Sequence, residues 1–154
     1  MKRRIKLKAF SLLILASLFG CATPNPYAPC SYFSSNSQQW RAGYEDTKLQ
    51  DDLFNVAYHG NGATSEMRAR NYFLYRCAEV TVQNGYDYFV VAYGASVSGE
   101  FVGGYNSAFQ EKVVTPNIMG QIRLGKGQTP SDKPLAYDAR QVMQNIGPEI
   151  VRPK

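Results

Sequence analysis

Histidine is nearly absent from this chain: His59 is the only one in 154 residues. Cysteine occurs three times, at Cys21, Cys30 and Cys77, and no two are spaced C-x-x-C. With one histidine and no C-x-x-C, a zinc site has no ligand set in the sequence, and no metal or cofactor is expected. No G-x-S-x-G elbow and no D-x-D-x-D-G calcium loop occur, so neither an α/β-hydrolase nucleophile nor an EF-hand is encoded. A surplus of positive charge is also missing where it would matter. The formal net charge is +5, but Lys2, Arg3, Arg4, Lys6 and Lys8 lie in the first eight residues, and the rest of the chain balances 12 basic against 12 acidic residues. Those basic residues are scattered rather than clustered, which excludes a nucleic-acid footprint.

What is present begins with that cationic stretch. It is followed by an apolar run from Ala9 to Phe19, well short of the roughly 20 residues that span a hydrocarbon core. A basic start, a short apolar run and a small residue before a break is the pattern of a secretory signal. The break reads Leu18-Phe19-Gly20-Cys21 and resembles the lipobox of bacterial lipoproteins. Leu18, Gly20 and Cys21 fit that box, and Phe19 departs from it, since a small residue is usual there. The resemblance implies cleavage before Cys21, acylation of Cys21 by palmitate-type chains, and anchoring to the lipid bilayer. Acyl chains contribute about 0.8 kcal/mol per buried methylene, so two or three of them hold permanently. Ala22 stands where an Asp would imply inner-membrane retention, and the resemblance thus favours the outer membrane, facing the periplasm.

All eleven tyrosines lie beyond the leader. A half-exposed sheet suits them, with an apolar body and a polar tip; glycan or peptide binding is the functional alternative. Cys30 and Cys77 are a candidate disulfide in an oxidising compartment. Against that pairing, Cys77 falls on the apolar face of a predicted helix, where free cysteine behaves as a small hydrophobe.

Residues 22–39 hold three prolines and several Ser and Asn without periodicity, and are expected to be a tether with some ordering around Tyr27 to Phe33. A short first strand is expected near Gly43-Tyr44 or Thr47-Leu49, then a turn at Asp51-Asp52. Leu53 to His59 alternates Phe54, Val56 and Tyr58 with Asn55, Ala57 and His59, the period of a half-buried strand. After a Gly60–Thr64 loop, Ser65 is the N-cap of a helix reaching about Asn84. Its apolar face is Phe73, Leu74, Cys77, Ala78 and Thr81; Arg76 and Glu79 can pair at i, i+3; Gly85 ends it. Asp87 to Tyr93 is apolar on both faces and reads as a central strand. The strand, helix and strand can form a right-handed crossover if the two strands are parallel and nearly adjacent. The glycine-rich Gly94 to Gln110 reads as a mobile hairpin or irregular strand pair, and Ile118, Ile122 and Leu124 as an edge strand starting after Pro116. Ala139, Val142, Met143 and Ile146 mark a short helix stopped by Gly147-Pro148.

The expected fold is thus α+β, with a mixed or antiparallel sheet of about four to five strands, one long helix and one short C-terminal helix. The expected divisions are a signal peptide over 1–20, a lipidated tether over 21–39, a periplasmic domain over 40–147 and a tail over 148–154. Three blocks, F-N-V-A-Y-H-G-N-G-A-T-S, Y-R-C-A-E-V-T-V-Q-N-G-Y-D-Y-F-V-V and Y-D-A-R-Q-V-M-Q-N-I-G-P, resemble a family of uncharacterised proteobacterial lipoproteins. That resemblance covers roughly Gly43 to Gly147 and implies location and domain, with no activity or catalytic residue carried over.

The candidate chemistry is thin. Gly60, Gly62 and Ser65 join a strand to a helix N-terminus and can be read as an anion site, although the loop lacks the Lys-Ser/Thr of a P-loop and such turns commonly serve glycine geometry alone. His59 is the one candidate base for a small periplasmic hydrolase; otherwise it is a strand-end residue near solvent. Glu45-Asp46 and Asp51-Asp52 are adjacent carboxylates, which cannot flank a glycosidic bond. The leading expectation is a non-catalytic, membrane-anchored module contacting another envelope protein or glycan.

Overall fold

A computed structural model describes residues 23–35, 38–102 and 113–154. Strands β1 (Ser31–Ser35), β2 (Gln38–Gln50) and β3 (Leu53–His59) lead into helix α1 (Glu66–Gln83). Strands β4 (Tyr88–Val102), β5 (Val113–Gly125) and β6 (Ala136–Asp138) follow, then helix α2 (Ala139–Ile146) and a 3-10 turn at Gly147–Glu149. Five strands in the order β2-β3-β5-β4-β6 form an antiparallel sheet, and β1 extends it beyond β2. The fold is α+β, with one long helix and one short C-terminal helix.

Local signals place most elements. Asp51-Asp52 turns β2 back onto β3, with Lys48 opposite Phe54 and Gly43 opposite His59. Ser65 caps α1 by accepting from the Arg68 N–H, and Gly85, at φ +75°, follows the Asn84 cap. Glycine meets that left-handed conformation without steric cost. Asp138 caps α2 by accepting from the Gln141 N–H.

β3 and β4 both run antiparallel to β5 and so run parallel to each other with β5 between them. The expected strand-helix-strand unit is therefore present, split by the later strand. This corrects the reading of β5 as an edge. It lies at the centre, and Pro116 lies inside it, opposite Gly99. A residue in a strand directs its N and its C=O to the same side. The Pro116 carbonyl accepts from the Gly60 N–H, so its missing donor falls just where β3 stops pairing at His59–Asn117. β4 also runs further than expected, to Val102; bulges between Val91 and Ser96 break its alternation. The rest of the Gly94 to Gln110 expectation, from residue 103, lies outside the described residues.

α1 packs on the face bearing Phe54, Val56, Tyr58, Ile118, Ile122 and Phe89, with Tyr72, Phe73, Cys77 and Val80 turned inward. Two chain ends join this core, correcting the tether and tail. Tyr27 is buried among Tyr44, Tyr72 and Tyr75, with ring centroids 4.6, 5.5 and 5.3 Å away. Its N–H donates to the Val151 carbonyl at 2.7 Å, and Ile150 is buried beside it. Tyrosine hydroxyls tie both ends down: Tyr58 donates to the Asn25 carbonyl, Tyr72 accepts from Val151 N–H and Tyr75 accepts from Arg152. These tyrosines are core residues rather than the half-exposed sheet surface expected of them.

The Tyr27 hydroxyl donates to Glu79 at 2.5 Å. Arg76 bridges Glu79 at 2.9 Å and Asp46 at 2.7 Å, and lies over the Tyr44 ring. Burial works against the Arg76 charge, but the bonds to Asp46 and Glu79 outweigh it and hold the guanidinium charged.

Candidate functional site

The face of the sheet opposite α1 carries the other parity of each strand. On it, His59 is paired with Asn117 across β3 and β5, and Glu45 lies one diagonal away on β2, where Gly43 is the partner of His59. His59 is 3% exposed. The expectation of a strand-end residue near solvent is therefore wrong.

Cys30 arrives from outside the strand. Gly43 has φ +108°, and a Cβ there would lie 2.5 Å from the Ala28 carbonyl oxygen. Only glycine lets the 28–30 segment lie this close to β2, fixed by Tyr44 N–H to Ala28 O and Cys30 N–H to Tyr44 O at 2.9 and 2.7 Å. The result is that one ligand atom each from Cys30, Glu45 and His59 lie within 4.8 Å of one another.

Within the cluster, Asn117 Oδ1 faces His59 Nδ1 at 3.2 Å and Glu45 Oε1 faces Nε2 at 3.1 Å. Arg41 donates to the same Glu45 oxygen at 3.1 Å. Burial and the Glu45 carboxylate push the Cys30 thiol up. That direction is opposite to what a nucleophilic cysteine needs. With Nε2 committed to Glu45 as well, the grouping of Cys, His and Asn does not form an activated thiol, and the hydrolase reading of His59 gains no nucleophile here.

The remaining sequence candidates lie elsewhere. Cys30 and Cys77 are both free: Cys77 is enclosed between α1 and the sheet and fully buried, whereas Cys30 joins His59. The proposed bridge is absent because the two thiols belong to different environments. In the Gly60, Gly62 and Ser65 loop, Gly60 N–H donates to Pro116, Ala63 N–H to Asn61 Oδ1, Thr64 N–H to Asn61 O and Arg68 N–H to Ser65 Oγ. These four N–H groups are thus used in closing the loop and capping α1. Cys21 lies outside the described residues.

A shallow cavity of about 350 Å³ lies between β6 and α2, lined by Thr129, Tyr137, Asp138, Gln141 and Asn145. Its one carboxylate, Asp138, is bound to the α2 N-terminus. Among the described residues no helix is long and apolar enough to cross a membrane.

Glu45 and Cys30 were not singled out by sequence as partners of His59. Counting back from the Asp51-Asp52 turn would put Glu45 opposite Tyr58, on the α1 face; the bulge between Lys48 and Gln50 shifts the register by one and brings Glu45 to the His59 face. Cys30 has no local signal either. Comparison with protein-family models, with curated proteins and with solved structures returned no match.

Proposed function

We propose that the protein is a lipid-anchored module of the bacterial cell envelope, held through acylated Cys21 in the outer membrane and facing the periplasm, that works by binding rather than catalysis. The leader, the Leu18-Phe19-Gly20-Cys21 break and the resemblance of the three core blocks to lipoproteins support this reading. The observation that carries it furthest is how soon the fold takes hold. Asn61 Nδ2 donates to the Thr23 carbonyl at 2.8 Å, and Tyr27 is in the core. Only Ala22 separates the anchoring cysteine from that first contact. Two backbone steps reach about 7 Å. The domain is therefore seated against the headgroups with its Gly60–Ser65 loop nearest the bilayer, instead of floating on a tether. The partner is another envelope protein or a glycan, met by a surface away from that loop.

Palmitate labelling and membrane fractionation of the native protein and of Cys21→Ala test the anchor. Label and membrane association should both disappear in the variant; equal labelling overturns the reading. Crosslinking in whole envelopes tests the partner, and native protein that captures no envelope component under any condition removes the binding role. Alanine at Tyr88 and at Tyr105 is the substitution test that accompanies the crosslinking. Tyr88 packs its ring across Gly125, so its replacement also disturbs the sheet, and Tyr105 lies outside the described residues.

A further inference from the structure

We propose that Cys30, Glu45 and His59 bind a divalent transition ion of the zinc type. The sequence argued against this, because three single donors spread over thirty residues make no motif. The fold assembles them, with one ligand atom from each inside a 4.8 Å span. Tetrahedral zinc bonds of about 2.0 to 2.3 Å place ligand atoms roughly 3.3 to 3.8 Å apart, so small side-chain rotations suffice to close on an ion.

The histidine is set for this role from behind. The Asn117 carboxamide oxygen faces Nδ1, an arrangement in which Nδ1 carries the proton and Nε2 presents a lone pair. An amide or carboxylate oxygen behind a ligating histidine is the usual outer contact of such sites, fixing the tautomer and the ring plane. Nε2 lies 3.1 Å from Glu45 Oε1 in a pocket where His59 is 3% exposed, so both atoms are already turned toward one another and toward the Cys30 side of the cluster. A cation set to one side of that line, toward Cys30, replaces any proton the two atoms share and is bound by both at about 2 Å. Thiolate and imidazole together select zinc-like ions over magnesium or calcium, and three protein ligands leave a fourth position for water or an exogenous donor.

Binding exchanges a proton for the metal: the Cys30 S–H bond breaks, an S–metal bond forms, and the proton goes to solvent. The competing charge is Arg41, whose guanidinium already holds Glu45 Oε1. Metal capture therefore swings the Glu45 carboxylate partly off Arg41 or uses its second oxygen. The inference needs none of the membrane reading: the three ligands all lie in the folded domain.

The test uses the purified protein as cells produce it, in detergent, with Co²⁺ alone and then Zn²⁺ alone as probes. Co²⁺ should bind one to one and give a near-ultraviolet sulfur-to-metal charge-transfer band that Zn²⁺ abolishes. Cys30→Ser and His59→Gln should remove the band, and Cys77→Ala should keep it. Asn117→Ala leaves all three ligands in place and should weaken binding about 10- to 100-fold with the band shape kept, as expected for an outer contact. A second readout needs no variant: Zn²⁺ should slow alkylation of Cys30 in the native chain at least about tenfold, followed by mass spectrometry. Absence of the band, its persistence in Cys30→Ser, or an unchanged alkylation rate each overturns the proposal. So does a contact that behaves only as a His59–Glu45 ion pair, with no metal taken up.

Discussion

Replacing Tyr27 with alanine asks whether the segment after Cys21 is part of the fold. The ring is 4% exposed and touches three other tyrosine rings. Truncating a buried aromatic to alanine costs about 3 to 5 kcal/mol, through lost transfer energy and the cavity left behind. The hydroxyl is a separable part. Tyr27→Phe removes the bond to Glu79 while Arg76 still holds that carboxylate, so its cost should be about 1.5 kcal/mol, the low end for a bond to a charged group. The assay is urea unfolding of a soluble form starting at residue 22. With a slope of about 1 to 3 kcal/mol per molar urea, Tyr27→Ala should lower the midpoint by about 2 M and Tyr27→Phe by somewhat under 1 M. An unfolding slope equal to that of the parent would show that the comparison is between like states. A Tyr27→Ala loss below about 1 kcal/mol, within the range of a surface substitution, would refute the placement of this segment in the core and restore the tether.

Gly43→Ala forces a side chain into φ +108° and against the Ala28 carbonyl; it should cost about 3 kcal/mol and, by moving Cys30, should abolish the Co²⁺ band in protein that still folds by circular dichroism. Arg76→Ala removes the guanidinium that bridges Asp46 and Glu79, leaving Glu79 to the Tyr27 hydroxyl and Arg152, and should cost about 3 kcal/mol, whereas Arg41→Ala, on an exposed pair, should cost under about 1 kcal/mol by the same urea assay. In a Cys21→Ala background an aromatic disulfide reagent should modify Cys30 in the folded protein and reach Cys77 only in denaturant; two thiols reacting at once would contradict the burial of Cys77. Burial raises the Tyr27, Tyr58 and Cys77 protonation equilibria in the fold, with Glu79 adding to the rise at Tyr27. Their stabilising contribution is whole below the unfolded values, about 8.5 for the thiol and 10 for the phenols, and declines above them by about 1.4 kcal/mol per pH unit per group. Stability by urea should therefore fall steeply above about pH 10, and Tyr27→Phe should lose one proton's worth of that slope.

Elements whose signal is local were legible in the residues. The period of Phe54, Val56 and Tyr58 gave β3, and Ser65 with Gly85 bounded α1 to within a residue. The Arg76–Glu79 pair followed from helical spacing alone. Elements defined by distant partners were not. Tyr27 sits between Pro26 and Ala28-Pro29, a composition that reads as linker, and its burial comes from α1 and from Val151. Pro116 marks an edge by rule, yet here its donorless side meets only the end of β3. The Cys30, Glu45 and His59 cluster depends on strand parity in β2 and β3 and on the glycine at position 43. Even the parity could not be counted from the turn, because the bulge between Lys48 and Gln50 shifts the register by one. Nothing near Cys30 announces its neighbours.

The meeting of Tyr27 with Ile150 and Val151 has a consequence for the order in which the fold can form. Tyr27 and residues more than 120 positions later complete the same corner of the core. A chain still emerging from the ribosome or a translocation pore lacks the second half of that contact. Such long-range closure is slow relative to local helix formation. That corner of the core therefore closes only once residues 150 and 151 are available to it, late in synthesis, whatever the rest of the sheet has already formed.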